Sequence, residues 1–261
     1  MASERPSDHV LLGACALLFV ASATVTTLLS ASMSRMGGMP MPGGWTMSMA
    51  WMRMPGQAWL GVAVAFLGMW IVMMVAMMLP SLVPMLLRYR HAVAGTGEMR
   101  LARLTAMVGA GYFLVWTASG MAVYPLGAAL AATAMQSERL SRLVPSAVGV
   151  VVLIAGALQF TAWKSRQLAC CRTAPLSGHV VSADARTAWC YGVRLGLHCS
   201  RCCAGLMTVL MVIGVMDLRA MVLVTAAITA ERLAPAGERV ARFVGTVTVA
   251  AGLDLIIAAV G

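Results

Sequence analysis

The 261-residue chain is 61% hydrophobic and only 11% charged, with a mean hydropathy of +0.86, where soluble domains carry roughly a quarter charged residues. Its 19 Lys and Arg against 9 Asp and Glu give a net charge of +10. That balance excludes an ordinary soluble domain. With no basic patch interleaved with aromatic residues, it does not argue for nucleic acid either.

A helix needs roughly 20 apolar residues to cross the hydrocarbon core of a bilayer. The first such run, Val10–Ser30, is flanked by Glu4, Arg5 and Asp8. That flank is not net positive and the run exceeds a signal-peptide core of about 7–15 residues, so a retained helix is expected. Cys15 inside it reads as packing. Eight methionines follow: Met33, Met36, Met39, Met41, Met47, Met49, Met52 and Met54, set among Gly37, Gly38, Pro40, Pro42, Gly43 and Gly44. Such a stretch is expected to be a loop outside any regular helix. Thioethers are soft, uncharged ligands that select Cu(I), which makes Met33, Met36, Met39 and Met41 candidates for metal capture. The competing reading, methionine as flexible filler, suits a loop without a core poorly.

The second run, Trp59–Leu87, carries Met69, Met73, Met74, Met77 and Met78 and is closed by Pro80 and Pro84. At 100° per residue Met69, Met73 and Met77 share one stripe. Packing is the ordinary explanation of such a stripe, and Met73 and Met77 are also candidate ligands. Leu104–Ala134 and Pro145–Trp163 come next, and just beyond them Cys170 and Cys171 are candidate metal ligands that would complete a second site if helices four and five adjoin. The fifth run, Trp189–Met216, holds His198, Cys199, Cys202 and Cys203. Spacings of three and four place these side chains on one helical face. Three thiols and an imidazole on one surface can supply two to four ligands to a soft or borderline metal. Arg194 and Arg201 flank that face, and positive charge there favours the metal-binding thiolate. Met207 and Met211 continue it at helical spacing. Small buried cysteine also packs well between membrane helices, so packing and thiol redox chemistry stay open beside metal binding.

Leu218–Ala230 is a short sixth run and Phe243–Val260 the seventh. Asp217 is expected to cap the sixth, and Glu231 to pair with its neighbour Arg232. Asp254 lies close enough to the C-terminus to reach water, and His91 and His179 read as solvated histidines. The expected fold is therefore an all-α polytopic transmembrane bundle of about seven helices. Residues 1–58 would form a first helix with an external Met-rich loop, and 59–261 a six-helix metal-binding domain.

The Lys and Arg of the loops give the orientation. The N-terminus and the loops after helices two, four and six hold twelve, and the opposite side holds five. The twelve belong in the cytoplasm, which puts the N-terminus inside and the C-terminus outside. The thiols then face the reducing compartment, where persistent disulfides are uncommon.

Trp70 through Pro80, with Met73-Met74-Val75-Ala76-Met77-Met78-Leu79-Pro80 at its end, resembles the Met-Ala-Met-Met-x-Pro signature of a bacterial family. Its members are predicted metal-binding integral membrane proteins, some of them labelled copper chaperones. The segment Arg194–Cys199, with Cys202–Met207 and Gly214–Leu218, is similar to that family's second signature. Gly111-Tyr112, Val115-Trp116 and Glu231 are similar too, and the likeness runs from about residue 59 to 258. Arg201 stands where the family usually has Gly, and Ala204 where it usually has Trp. What the resemblance implies is a copper-related membrane function.

Together these readings point to a copper-handling protein of the bacterial inner membrane. Cu(I) would be gathered by the external methionines and held at the inner Cys/His cluster. Its partners would be membrane lipid and a protein that donates or accepts copper, with no nucleic acid. No nucleophile–base pairing, phosphate loop or hydrolase motif marks an enzyme. The alternatives are a membrane thiol–disulfide oxidoreductase using Cys199 and Cys202, and a structural subunit of a membrane complex.

Overall fold

The long apolar runs become long helices. The structure is a computed structural model that describes residues 6–51, 56, 58–93, 95, 97–173 and 183–260. The helices are α1 (Pro6–Met36), α2 (Trp59–Ala92), α3 (Glu98–Gln136), α4 (Glu138–Leu158), α5 (Ala162–Thr173), α6 (Ala185–Ile213), α7 (Leu218–Leu233) and α8 (Gly237–Val260). Among the described residues six of these eight, α1 to α4, α6 and α8, are long and apolar enough to cross a membrane. The sixth expected run, Leu218–Ala230, forms α7, which falls below that length. α7 has 16 residues, a rise of about 24 Å against a hydrocarbon core of about 30 Å. The fourth run also divides: α4 stops at Leu158, Gln159–Thr161 form a turn, and α5 starts afresh at Ala162.

The methionine-rich stretch differs from the expected loop in two ways. α1 continues through Met36, so Met33 and Met36 belong to its last turns. The Gly and Pro residues then close a two-stranded antiparallel hairpin, β1 (Met39–Met41) with β2 (Trp45–Met47), in the register Met39 opposite Met47 and Met41 opposite Trp45. Met52, Met54 and His179 lie outside the described residues, as does the side chain of Met36.

Small residues set the closest helix contacts, as they do where lipid offers no hydrophobic drive to association. α3 lies against α6 through Gly111, Gly192 and Gly196. A Cβ at Gly111 would come within 2.7 Å of the Trp189 carbonyl oxygen, and one at Gly196 within 2.9 Å of that of Tyr112. α4 meets α8 in the same way, with Gly149 and Gly156 facing Gly252 and Gly245. The two ends of the bundle are tied separately. At one end, called here the α5 end, Arg90 bridges to Asp8 at 2.9 Å, both side chains being buried. At the other, the hairpin end, Ser30 Oγ donates to the carbonyl oxygen of Met216.

α6 and α7 form an antiparallel pair around the turn at Gly214–Asp217, where Asp217 caps α7 by accepting from the Ala220 amide at 2.8 Å. Cys199 stands fourteen residues before Ile213, and Arg232 fourteen after Leu218. At 1.5 Å per residue both lie about 21 Å from that turn. The shortness of α7 therefore brings its last turn down beside the middle of α6.

Candidate metal centre

α6 turns Cys199, Cys202 and Cys203 inward, and all three are buried, together with Cys171 of α5. Cys199 Sγ and Cys203 Sγ are 3.8 Å apart. With metal–sulfur bonds of about 2.3 Å, the zinc-thiolate value, that spacing subtends an angle of roughly 110°. The pair fits a bent arrangement that leaves room for a third ligand. Cys171 Sγ donates to the His198 carbonyl oxygen at 3.2 Å and hydrogen-bonds with Cys202. That bond, then burial, holds the Cys171 thiol above the ordinary thiol range. His198 is half-buried, and its Nδ1 is buried without a hydrogen-bond partner among the described residues. Among those residues no three His, Cys, Asp or Glu side chains already converge as a metal cage. The Cys199–Cys203 sulfur pair is what the present geometry offers.

What surrounds Cys199 is specific. Tyr112 of α3 donates from Oη to Cys199 Sγ at 3.0 Å, and Arg232 of α7 donates from Nη1 to the same sulfur at 3.1 Å. Arg232 also reaches Ser81 Oγ of α2 at 2.9 Å, while its Nε and Nη2 have no partner among the described residues. Three helices thus meet at one thiol, and a fourth reaches it through Arg232. The glycines between α3 and α6 bring Tyr112 within reach, and the length of α7 sets the height of Arg232.

The neighbouring carboxylate does not neutralise this guanidinium. Glu231 binds Lys164 Nζ at 2.6 Å and Gln159 Nε2 at 3.0 Å, which corrects the expected pairing with Arg232. Lys164 also donates to the Cys202 carbonyl oxygen at 2.9 Å. Arg232, 4% exposed, faces a hydroxyl and a sulfur. A buried guanidinium is costly without a compensating anion. The Cys199 sulfur is the ionisable group within hydrogen-bonding distance.

Arg194 and Arg201, the basic residues that the sequence suggests for this role, are exposed. Their substitute, Arg232, comes from another helix. Tyr112 stands in the Gly111-Tyr112 pair that the family likeness contains, and Lys164 and Gln159 carry no local signal. Of the remaining candidates, Met73 and Met77 of α2 and Met207 of α6 are buried in the same core cluster as the three α6 thiols. Cys170 is exposed. Met33 and Met41 are half-buried and Met39 is exposed, all at the hairpin end.

Comparison with known proteins fits this picture. A family model described as PpoB2, copper chaperone, matches residues 67–255. The matched stretch runs from α2 into α8 and takes in the whole thiol cluster, with α1 and the hairpin before it. No curated protein and no solved structure matches.

Proposed function

Because the chain belongs to the copper chaperone family PpoB2, we propose that it binds and passes on Cu(I) within a membrane, with Cys199 and Cys203 as the central ligands. The observation that carries this reading is the convergence of Arg232 and Tyr112 on Cys199 beside a second sulfur 3.8 Å away. Soft thiolates select Cu(I). Two thiolates and one Cu(I) carry a net charge of −1, and the buried Arg232 supplies the matching positive charge, without which a buried anion is costly. His198, Cys202 and Cys171 are the further donors of the set. The chaperone description is of a non-catalytic role, in which copper is cargo.

The methionines give the ion a route. Thioethers at the hairpin end, Met33, Met36, Met39 and Met41, collect it, and Met73, Met77 and Met207 pass it inward. Neutral thioethers hold Cu(I) less tightly than thiolates, so the route descends toward the cluster. The twelve-to-five distribution of Lys and Arg supports a cytoplasmic α5 end in an inner membrane. Cys170 is exposed at that end, where an acceptor protein with soft ligands of its own would dock.

Competition with a Cu(I) chelator, under anaerobic and reducing conditions, tests the reading on the full-length protein in detergent. The wild type is expected to retain one tightly held Cu(I) per chain. Replacing Cys199 and Cys203 by Ser, which is nearly isosteric but a poor soft ligand, removes it while the fold persists. Equal retention by both proteins refutes the assignment.

A further inference from the structure

The hairpin is seated on the corner between α3 and α4 by contacts that fix its position. Trp45 Nε1 donates to the Ser141 carbonyl oxygen at 2.9 Å, and Ser141 Oγ donates to that of Pro42, also at 2.9 Å. Gly43, at φ +100°, lies so close to α4 that a Cβ would stand 3.0 Å from the Arg142 Cα. Met47 is buried against Ala131 and Ala134 of α3. A short Gly- and Pro-rich hairpin would otherwise be marginal on its own, and here four helical residues and a buried methionine hold it in place.

Between this seat and the helix corner lies a cavity of about 430 Å³ lined by Met39, Met41, Pro42, Ala134, Met135 and Glu138. Met39 and Met41 are two apart on β1 and so share a face. Met135 comes from the last turn of α3, almost a hundred residues later, and Glu138 opens α4. The functional lining is therefore three thioethers and one carboxylate. Met39 and Met135 are 43% and 46% exposed, so neither serves as core filling. Gln136, Ser137, Glu138 and Arg139 follow Met135 directly, which puts this corner at the polar border rather than in the hydrocarbon. Among the described residues Glu138 is engaged by Arg142, in an exposed i,i+4 ion pair. Such a pair is worth at most about 1 kcal/mol and can yield to a cation.

We propose that this cavity is a separate binding site for a soft monovalent cation, Cu(I) or its analogue Ag(I). Met39, Met41 and Met135 are its thioether ligands, and Glu138 supplies the compensating charge. Three neutral sulfurs favour a soft ion, and a single carboxylate balances a single positive charge. The hairpin makes the site and Met135 completes it, so capture depends on tertiary structure and not on methionine content alone. The inference rests on the copper reading above and deepens it by naming a first site distinct from the thiols.

Titration with Ag(I), which avoids oxidation chemistry, tests the site on the full-length protein with all seven cysteines replaced by Ser. One weaker Ag(I) per chain is expected to remain. Adding Met135→Leu or Glu138→Gln should weaken it at least tenfold with no change in thermal midpoint, both side chains being exposed. Zn(II) should fail to compete. An Ag(I) isotherm indifferent to both substitutions, or Zn(II) taken up equally well, overturns the proposal. The two readings fail separately. Loss of the pocket ion with tight Cu(I) intact in Met135→Leu supports both, whereas a pocket ion in a wild type that lacks any tight thiol site supports this inference alone.

Discussion

Arg232 Nη1 lies 3.1 Å from Cys199 Sγ, joining two residues 33 positions apart in the chain. The contact exists because α7 is short and ends beside the middle of α6. If the guanidinium is the counter-charge of a thiolate centre, its removal should be felt in metal binding more than in folding. Arg232→Met keeps length and apolar volume but loses the charge. Cu(I) affinity should fall at least tenfold, about 1.4 kcal/mol, with Arg232→Lys recovering part of the loss in the same chelator competition. Equal affinities in all three proteins would reduce Arg232 to a packing role.

The second buried pair, Lys164–Glu231, is expected to act mainly on stability. Removing one partner of a buried pair leaves an uncompensated charge and typically costs about 3–5 kcal/mol. Lys164→Met and Glu231→Gln should each lower the thermal midpoint sharply. Combined replacement of both residues by Met should recover much of the loss. A double variant as unstable as the sum of the singles would show that the two residues act independently.

Gly111 sets the approach of α3 to α6. Gly111→Val would drive a side chain into the Trp189 backbone, and overpacking of this kind costs about 1–3 kcal/mol where the neighbours can shift. Backbone yields less readily than side chains, so the upper part of that range is expected, read as a lower thermal midpoint. Tyr112→Phe, which removes only the hydroxyl facing Cys199, should leave the midpoint close to wild type while weakening Cu(I) binding. The contrast separates helix contact from site chemistry.

Exposure and sidedness give a labelling test. Cys170 is exposed and its neighbour Cys171 buried. In a chain whose only cysteines are these two, a maleimide should modify Cys170 rapidly and Cys171 slowly. With an impermeant reagent on spheroplasts, labelling should begin only after permeabilisation, and a reporter fused at Gly261 should report the external side. Labelling of Cys170 in intact spheroplasts would reverse the orientation and the direction assigned to the route.

Much of this architecture is legible along the chain, because a bilayer demands long apolar runs and helical spacing decides which side chains share a face. Cys199, Cys202 and Cys203 are read that way, and Asp217 as a cap. Helix ends are less legible. The boundary between the polar turn and α5 falls inside a run whose hydropathy continues to Trp163, and α1 runs on to Met36 because no Gly intervenes before Gly37. The partners of Cys199 are hidden for a different reason. Tyr112 and Arg232 come from two other helices, with Ser81 of a third held by Arg232, and their meeting depends on helix depth and glycine contacts that no local pattern expresses. Arg232 is the clearest instance, since adjacency suggests a pair with Glu231 whereas helical geometry turns the two apart.

The most direct test of the central claim is X-ray absorption at the copper K-edge, on full-length protein loaded anaerobically with one equivalent of Cu(I). The wild type is expected to show a first shell dominated by sulfur. Cys199→Ser with Cys203→Ser should lose that shell or hold no copper through a desalting step. A wild-type shell made only of nitrogen and oxygen, or a sulfur shell unchanged in the double variant, would contradict a copper centre at Cys199 and Cys203.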